Sequence, residues 1–91
     1  MNMEAGCIEV EVTNEYGLHA RPAAMIVRTL NKYECTVLIC YNSEEANCRN
    51  ILDIMSLAAA CGERLEIKAE GPGADEALVA IKDLFESRFG E

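Results

Sequence analysis

Between residues 12 and 23 the chain changes its apolar repeat from the period of a strand to that of a helix, and little else in it constrains the fold as strongly. Cys7-Ile8-Glu9-Val10-Glu11-Val12 alternates apolar with acidic residues. That pattern is a half-buried strand with Ile8, Val10 and Val12 facing inward. Thr13–Leu18 reads as a loop. From Ala20 onward, Ala23, Ile26, Val27 and Leu30 follow the i, i+3, i+4, i+7 stripe of an amphipathic helix. Pro22 falls in its first turn, where a missing N–H costs nothing and a fixed φ helps. The helix is expected to end near Asn31–Tyr33.

The rest of the chain alternates in the same manner. Cys35–Tyr41 is rich in β-formers and reads as a strand buried over much of its surface. Asn42-Ser43-Glu44 reads as a turn, with a short strand expected at Ala46–Arg49. Asn50 suits the cap of a helix running from Ile51 to about Ala60, stopped by Gly62. Leu65-Glu66-Ile67-Lys68-Ala69-Glu70 alternates again, and Gly71-Pro72-Gly73 breaks it. A last helix is expected from about Ala74 to Arg88, with a stripe of Ala74, Ala77, Leu78, Ile81, Leu84, Phe85 and Phe89. Asp75 and Glu76 would sit at its positive end and Arg88 near its negative end. The order β-α-β-β-α-β-α predicts an α+β protein in which an antiparallel sheet keeps one face wet and the helices cover the other.

Ninety-one residues fit one small domain, taken here as residues 1–91. With 51% hydrophobic residues and no tryptophan, Leu, Ile, Val, Met, Ala and Cys must fill the interior. No apolar run approaches the roughly 20 residues of a membrane span. Met1–Gly6 lacks the charged start and apolar stretch of a signal peptide, so a cytoplasmic protein is expected. A net charge of −8, from 16 acidic and 8 basic residues, argues against nucleic-acid binding, which needs an excess of Lys and Arg. Cys7, Cys35, Cys40, Cys48 and Cys61 show no C-x-x-C spacing, and there is one histidine to complete any zinc site. They are expected to be small buried hydrophobes in a reducing compartment. No metal site and no cofactor is expected. A thiol redox or metal function remains the competing reading.

The one histidine, His19, stands immediately before the first helix, with Arg21 two residues on. A phosphoryl acceptor needs a neutral nucleophile, donors for the phosphate oxygens and room for an in-line partner. An ordinary imidazole is substantially neutral at pH 7, and a helix N-terminus disfavours the imidazolium further. The free amides of the first turn, those of Ala20, Arg21 and Ala23, point toward a phosphate at that end, while Pro22 has none to offer. The Arg21 guanidinium adds a charge-assisted donor. Gly17 lets the loop turn and keeps bulk away from the ring. A lone histidine at a helix start is, on residue spacing alone, more often a decoration than a reactive group.

Gly17-Leu18-His19-Ala20-Arg21-Pro22-Ala23-Ala24 resembles the phosphohistidine motif of the HPr family, the histidine-containing phosphocarriers of the bacterial sugar phosphotransferase system. Ile51-Leu52-Asp53-Ile54-Met55-Ser56-Leu57 is similar to the family's segment around its second helix. Ala69-Glu70-Gly71 and the acidic helix start after it are similar to its last strand and final helix. The resemblance spans nearly the whole chain. It implies an open-faced β-sandwich, a four-stranded antiparallel sheet under three helices. It also implies a carrier rather than an enzyme: enzyme I would place a phosphoryl group from phosphoenolpyruvate on His19 Nδ1, Arg21 would steady it, and an enzyme IIA component would receive it. Docking would use an apolar patch of Leu52, Met55 and Ala20, ringed by Arg28, Lys32 and Arg49. Plain core packing is the bland reading of Leu52 and Met55, and a solvated helix face that of Arg28 and Lys32. A monomer without membrane insertion is expected.

Two departures from the family pattern matter. Many relatives carry a regulatory serine where this chain has Asn50, so control through a phosphoserine there is expected to be absent. Asp53 stands where some relatives have lysine, and the chain is more acidic than usual, which could weaken docking or mark a different partner. The alternatives are an HPr-like interaction module through which no phosphate flows, and a specialised, nitrogen-type branch of the phosphotransferase system.

Overall fold

A computed structural model describes residues 5–91; the first four residues of the Met1–Gly6 segment discussed above lie outside that range. Strand β1 (Ala5–Glu11) leads to helix α1 (Ala20–Leu30), a hairpin of β2 (Thr36–Tyr41) and β3 (Glu44–Asn47), helix α2 (Ile51–Ser56), strand β4 (Arg64–Glu70) and helix α3 (Ala74–Glu86). A 3-10 turn, Arg88–Gly90, follows. The four strands form one sheet in the order β1-β4-β2-β3, every neighbouring pair antiparallel. The fold is therefore the expected α+β open-faced sandwich of four strands and three helices.

Sheet register explains the core. Val10 pairs with Leu65, Ile8 with Ile67 and Ile67 with Ile39, so one apolar layer crosses three strands. Onto it the helices lay Ala23, Ile26 and Leu30 from α1, Ile54 from α2, and Ala77, Leu78, Ile81 and Phe85 from α3, all buried. Burying an aliphatic or aromatic side chain of this size contributes about 1.5–3 kcal/mol. The opposite sheet face carries Glu9, Arg64, Glu66 and Lys68 in solvent, with Arg64 paired to Glu9 at 2.8 Å.

Most boundaries fall within a residue or two of the sequence expectation, and three elements show where and why they depart from it. The β2–β3 hairpin turns on two residues, Asn42 and Ser43, both at positive φ (51° and 65°). That geometry matches the twist of the strands, so β3 begins at once with Glu44 and does not wait for Ala46. Helix α2 stops at Ser56, short of the expected Ala60, although alanine favours helix. Its last amides tighten onto carbonyls three residues back (Leu57 to Ile54, Ala58 to Met55), and Ala58 turns left-handed at φ 54°. Tertiary contact overrides propensity here, because the Ala59 carbonyl is needed by the Leu18 amide (3.1 Å). Helix α3 ends at Glu86, so Arg88 lies beyond its cap, Ser87, and Phe89 reaches the core from the turn that follows rather than from the helix.

Asn50 caps α2 as expected, its Oδ1 accepting from the Asp53 amide at 3.1 Å. The Asp53 carboxylate in turn accepts from the Asn47 amide at 2.8 Å. Replacing Asn50 with alanine is expected to cost about 1 kcal/mol. Urea unfolding would show this as a lower midpoint at unchanged m-value; no shift would mean the cap is dispensable.

Candidate functional site

His19 is the N-cap residue of α1, in extended backbone conformation (φ −80°, ψ −170°). The loop that delivers it is tied down at several points. The buried Asn14 donates from Nδ2 to the Gly17 carbonyl (2.7 Å), and the Gly17 amide returns to the Asn14 carbonyl (3.2 Å). Gly17 sits at φ 68° directly against the Ala59 carbonyl, where a Cβ has no room. The Val12 amide donates to the Glu63 carbonyl and the Gly62 amide to the Val12 carbonyl. Leu18 is buried, so the next side chain in the sequence turns outward.

The His19 side chain is 37% exposed and that of Arg21 54%. No side chain caps the amides of this first turn. The Ala23 amide is not among the free donors, contrary to expectation: it makes the first helical hydrogen bond, to the His19 carbonyl at 3.1 Å. Ala20 and Arg21 are left to present N–H groups at the positive end of α1. A histidine, two amides and a guanidinium thus converge at one accessible point. Donors of these kinds are chemically suited to a tetrahedral anion beside an imidazole nitrogen.

Two further residues reach the ring. Glu91 Oε2 accepts from His19 Nε2 (3.0 Å) and from Arg21 Nη1 (3.4 Å). The Tyr16 ring meets the imidazole edge-to-face, centroids 6.1 Å apart at 87°. Neither was singled out from the sequence, nor was Asn14. The Asn14-x-x-Gly17 spacing carries a turn signal that could have marked Asn14. Glu91 lies 72 residues from His19 and gives no local signal.

Around the ring the expected docking residues sort themselves. Leu52 is 76% exposed, Ala20 lies open, and Met55 and Ile51 are each 36% exposed, so core packing does not account for them. Arg28 and Lys32 are exposed on and after α1. Arg49, also exposed, makes contacts for which there is no local sequence signal. Its Nη1 donates to the Leu30 carbonyl (3.1 Å) and its Nη2 to those of Tyr33 (2.6 Å) and Cys35 (2.8 Å). The guanidinium closes the C-terminal end of α1 and the connection into β2.

The cysteines divide in a way their spacing did not foretell. Cys35 and Cys48 are buried, as expected of small hydrophobes, but Cys7 and Cys61 are exposed and Cys40 is half-buried. Burial pushes the Cys48 thiol up to about 12. A hydrogen bond to the Glu66 carboxylate raises Cys7, and desolvation raises Cys40. Among the described residues no group of three or more His, Cys, Asp or Glu is placed to hold a metal ion. Titration of the native protein with a disulfide reagent should therefore show Cys61 reacting first, Cys7 and Cys40 slowly, and Cys35 and Cys48 only on unfolding. Rapid reaction of all five would contradict the burial described.

Fold and site together define a small open-faced sandwich with a partly exposed histidine at a helix N-terminus. A family profile described as the PTS HPr component phosphorylation site matches residues 7–87. The phosphocarrier protein HPr of Treponema pallidum is 39% identical over 82 residues, covering 90% of this chain and 93% of that protein. The phosphocarrier protein NPr of Escherichia coli is 38% identical over 84 residues, with coverage of 90% and 92%. The crystal structure of HPr-C-His from Thermoanaerobacter tengcongensis superposes with a TM-score of 0.90 at 38% identity, covering 94% of this chain and 97% of that one. The chain belongs to the HPr family of phosphocarrier proteins.

Proposed function

We propose that this chain accepts a phosphoryl group on His19 Nδ1 from phosphorylated enzyme I and yields it to a histidine of an enzyme IIA component, serving sugar uptake or its regulation. The observation that carries this reading is the placement of an exposed imidazole as the N-cap of α1, next to the uncapped amides of Ala20 and Arg21 and the Arg21 guanidinium. Glu91 occupies Nε2, which leaves Nδ1 as the ring nitrogen open to phosphorus. Phosphoryl transfer between nitrogens asks little covalent chemistry of the carrier. It asks for alignment and for donors on the equatorial oxygens, and a shallow, solvent-facing site can release the group as readily as it receives it. Arg21, held by one long ion pair, is free to swing onto a phosphate dianion.

Leu52, Ile51, Met55, Ala20 and Tyr16 form the apolar platform on which both partners dock, with Arg28 and Lys32 on the basic rim. Arg49 contributes by bracing that platform rather than by touching a partner. The similarity to NPr and the absence of a hydroxyl at Asn50 favour, as a second reading, service in a nitrogen-type relay. Incubation with phosphoenolpyruvate and either a sugar-type or a nitrogen-type enzyme I tests both: one acid-labile phosphoryl group should be gained, and faster from the cognate donor. Gain from neither donor would leave the module without phosphate flow as the better description.

A further inference from the structure

From the turn before the first helix we infer that Asn14 is a positioning residue for phosphoryl acceptance: its side-chain amide fixes the peptide unit from which His19 is hung. This rests on the carrier function proposed above. Asn14 is fully buried, and no other polar side chain among the described residues is buried. Its Oδ1 has no hydrogen-bond partner among them. An acceptor shut away from water without a partner lowers stability, and native cores hold few of them. Leucine has the same branched shape and neither polar atom, so packing alone does not require asparagine here. What asparagine supplies is the Nδ2 donor, 2.7 Å from the Gly17 carbonyl.

That carbonyl belongs to a peptide unit gripped at both edges. Its oxygen accepts from Asn14 Nδ2 and from the His19 amide (3.0 Å), and its N–H, that of Leu18, donates to the Ala59 carbonyl (3.1 Å). The Gly17 amide closes the turn onto the Asn14 carbonyl (3.2 Å). A peptide unit is planar, so holding both edges sets its tilt. Only the buried Leu18 separates it from His19. The same turn carries Tyr16, whose ring meets the imidazole edge-to-face. Acceptance forms a bond from the Nδ1 lone pair to phosphorus while the donor's N–P bond breaks and its electron pair returns to the donor nitrogen. No proton has to move, so what the carrier must supply is a lone pair lying on the line of displacement, and small misplacements there slow transfer steeply. Without Nδ2 the Gly17 oxygen keeps the His19 amide alone, and the unit that aims the ring is free to tilt.

Two variants separate this role from simple packing. Asn14→Leu keeps the shape and removes both polar atoms; Asn14→Ala removes the donor and leaves a gap. In single-turnover reactions with saturating phosphorylated enzyme I, phosphoryl gain should slow by about 10- to 100-fold in both. The enzyme I concentration giving half the maximal rate should stay within about 2-fold, because the apolar platform on α2 is untouched. The urea midpoint of Asn14→Leu should equal or exceed that of the parent, so loss of folded protein does not account for the slower transfer. In proton spectra of the unphosphorylated protein, the ring-current shift that Tyr16 imposes on the His19 ring should shrink in both variants. An unchanged rate and ring shift in Asn14→Leu would overturn the inference, as would a rate loss no larger than its unfolded fraction explains. If the ring shifts behave as expected but no enzyme I phosphorylates the parent protein, the carrier function fails and the hold of Asn14 on the ring stands.

Discussion

His19→Ala is expected to abolish phosphoryl gain altogether while leaving the fold intact. The side chain is more than one-third exposed, its neighbours touch it at its periphery, and no buried group loses a partner when it is removed. Unfolding midpoints should move by less than about 0.5 kcal/mol, as for surface substitutions generally. Activity should fall to the background of the assay, because His19 is the chain's one imidazole: the amides of Ala20 and Arg21 and the guanidinium of Arg21 can bind phosphate but cannot carry it covalently. Arg21→Ala should differ in kind. It leaves the nucleophile and removes one charge-assisted donor, so phosphorylation should persist and slow by about 10²- to 10³-fold, the usual effect of losing one electrostatic donor. Mass measurement after incubation with enzyme I and phosphoenolpyruvate reads both variants. A phosphoryl group still present on His19→Ala would move the acceptor elsewhere and end the assignment.

Gly17→Val is expected to be the most damaging single change to the fold near the site. At φ 68° an L-residue meets a penalty of about 1–2 kcal/mol, larger for a β-branched one. Its Cβ would also run into the Ala59 carbonyl oxygen and sit 3.1 Å from Ala60 Cα. Both are backbone atoms, so no side chain can swing aside. Either residues 14–18 or the 58–60 corner must move, and with them the Leu18–Ala59 hydrogen bond. A loss of about 3–5 kcal/mol is expected, a large share of the 5–15 kcal/mol typical of a domain. Gly62→Val is the control. Gly62 also has a positive φ, 94°, but nothing lies within 4 Å of its would-be Cβ. It should cost the conformational part alone, about 1–2 kcal/mol. Equal losses at the two positions, measured by urea unfolding, would remove the steric argument. The surviving folded fraction of Gly17→Val should accept phosphate slowly, because the loop that aims the imidazole has shifted.

The elements that alternate cleanly were legible from the residues themselves. Ile8-x-Val10-x-Val12, the 23-26-27-30 stripe and Leu65-x-Ile67-x-Ala69 each bury the face their period dictates. Pattern arguments weakened where a distant contact decided the backbone. Nothing between Met55 and Ala60 announces that Ala58 will turn left-handed; that follows from the demand of Leu18 for the Ala59 carbonyl. The site shows the same limit. His19 and Arg21 are two residues apart and could be read together, along with the helix tip behind them. Glu91 and Asn14 gain their contacts only when the far end of the chain folds back and the loop closes on itself. Arg49 shows a further limit: nothing in its position along the chain announces that its guanidinium holds three main-chain oxygens.

Among the described residues, the outer strands of the sheet, β1 and β3, each leave one line of main-chain donors and acceptors without a neighbouring strand. On β1 that margin carries Glu9 and Glu11, and on β3 it carries Glu44 and Glu45, all open to solvent. Glu9 and Glu11 share the single Arg64, and Glu45 lies 3.9 Å from Lys68 while Glu44 adds a further carboxylate, so both margins keep more anion than cation and would repel a second copy. The same charged margins would oppose edge-to-edge aggregation when the protein is concentrated.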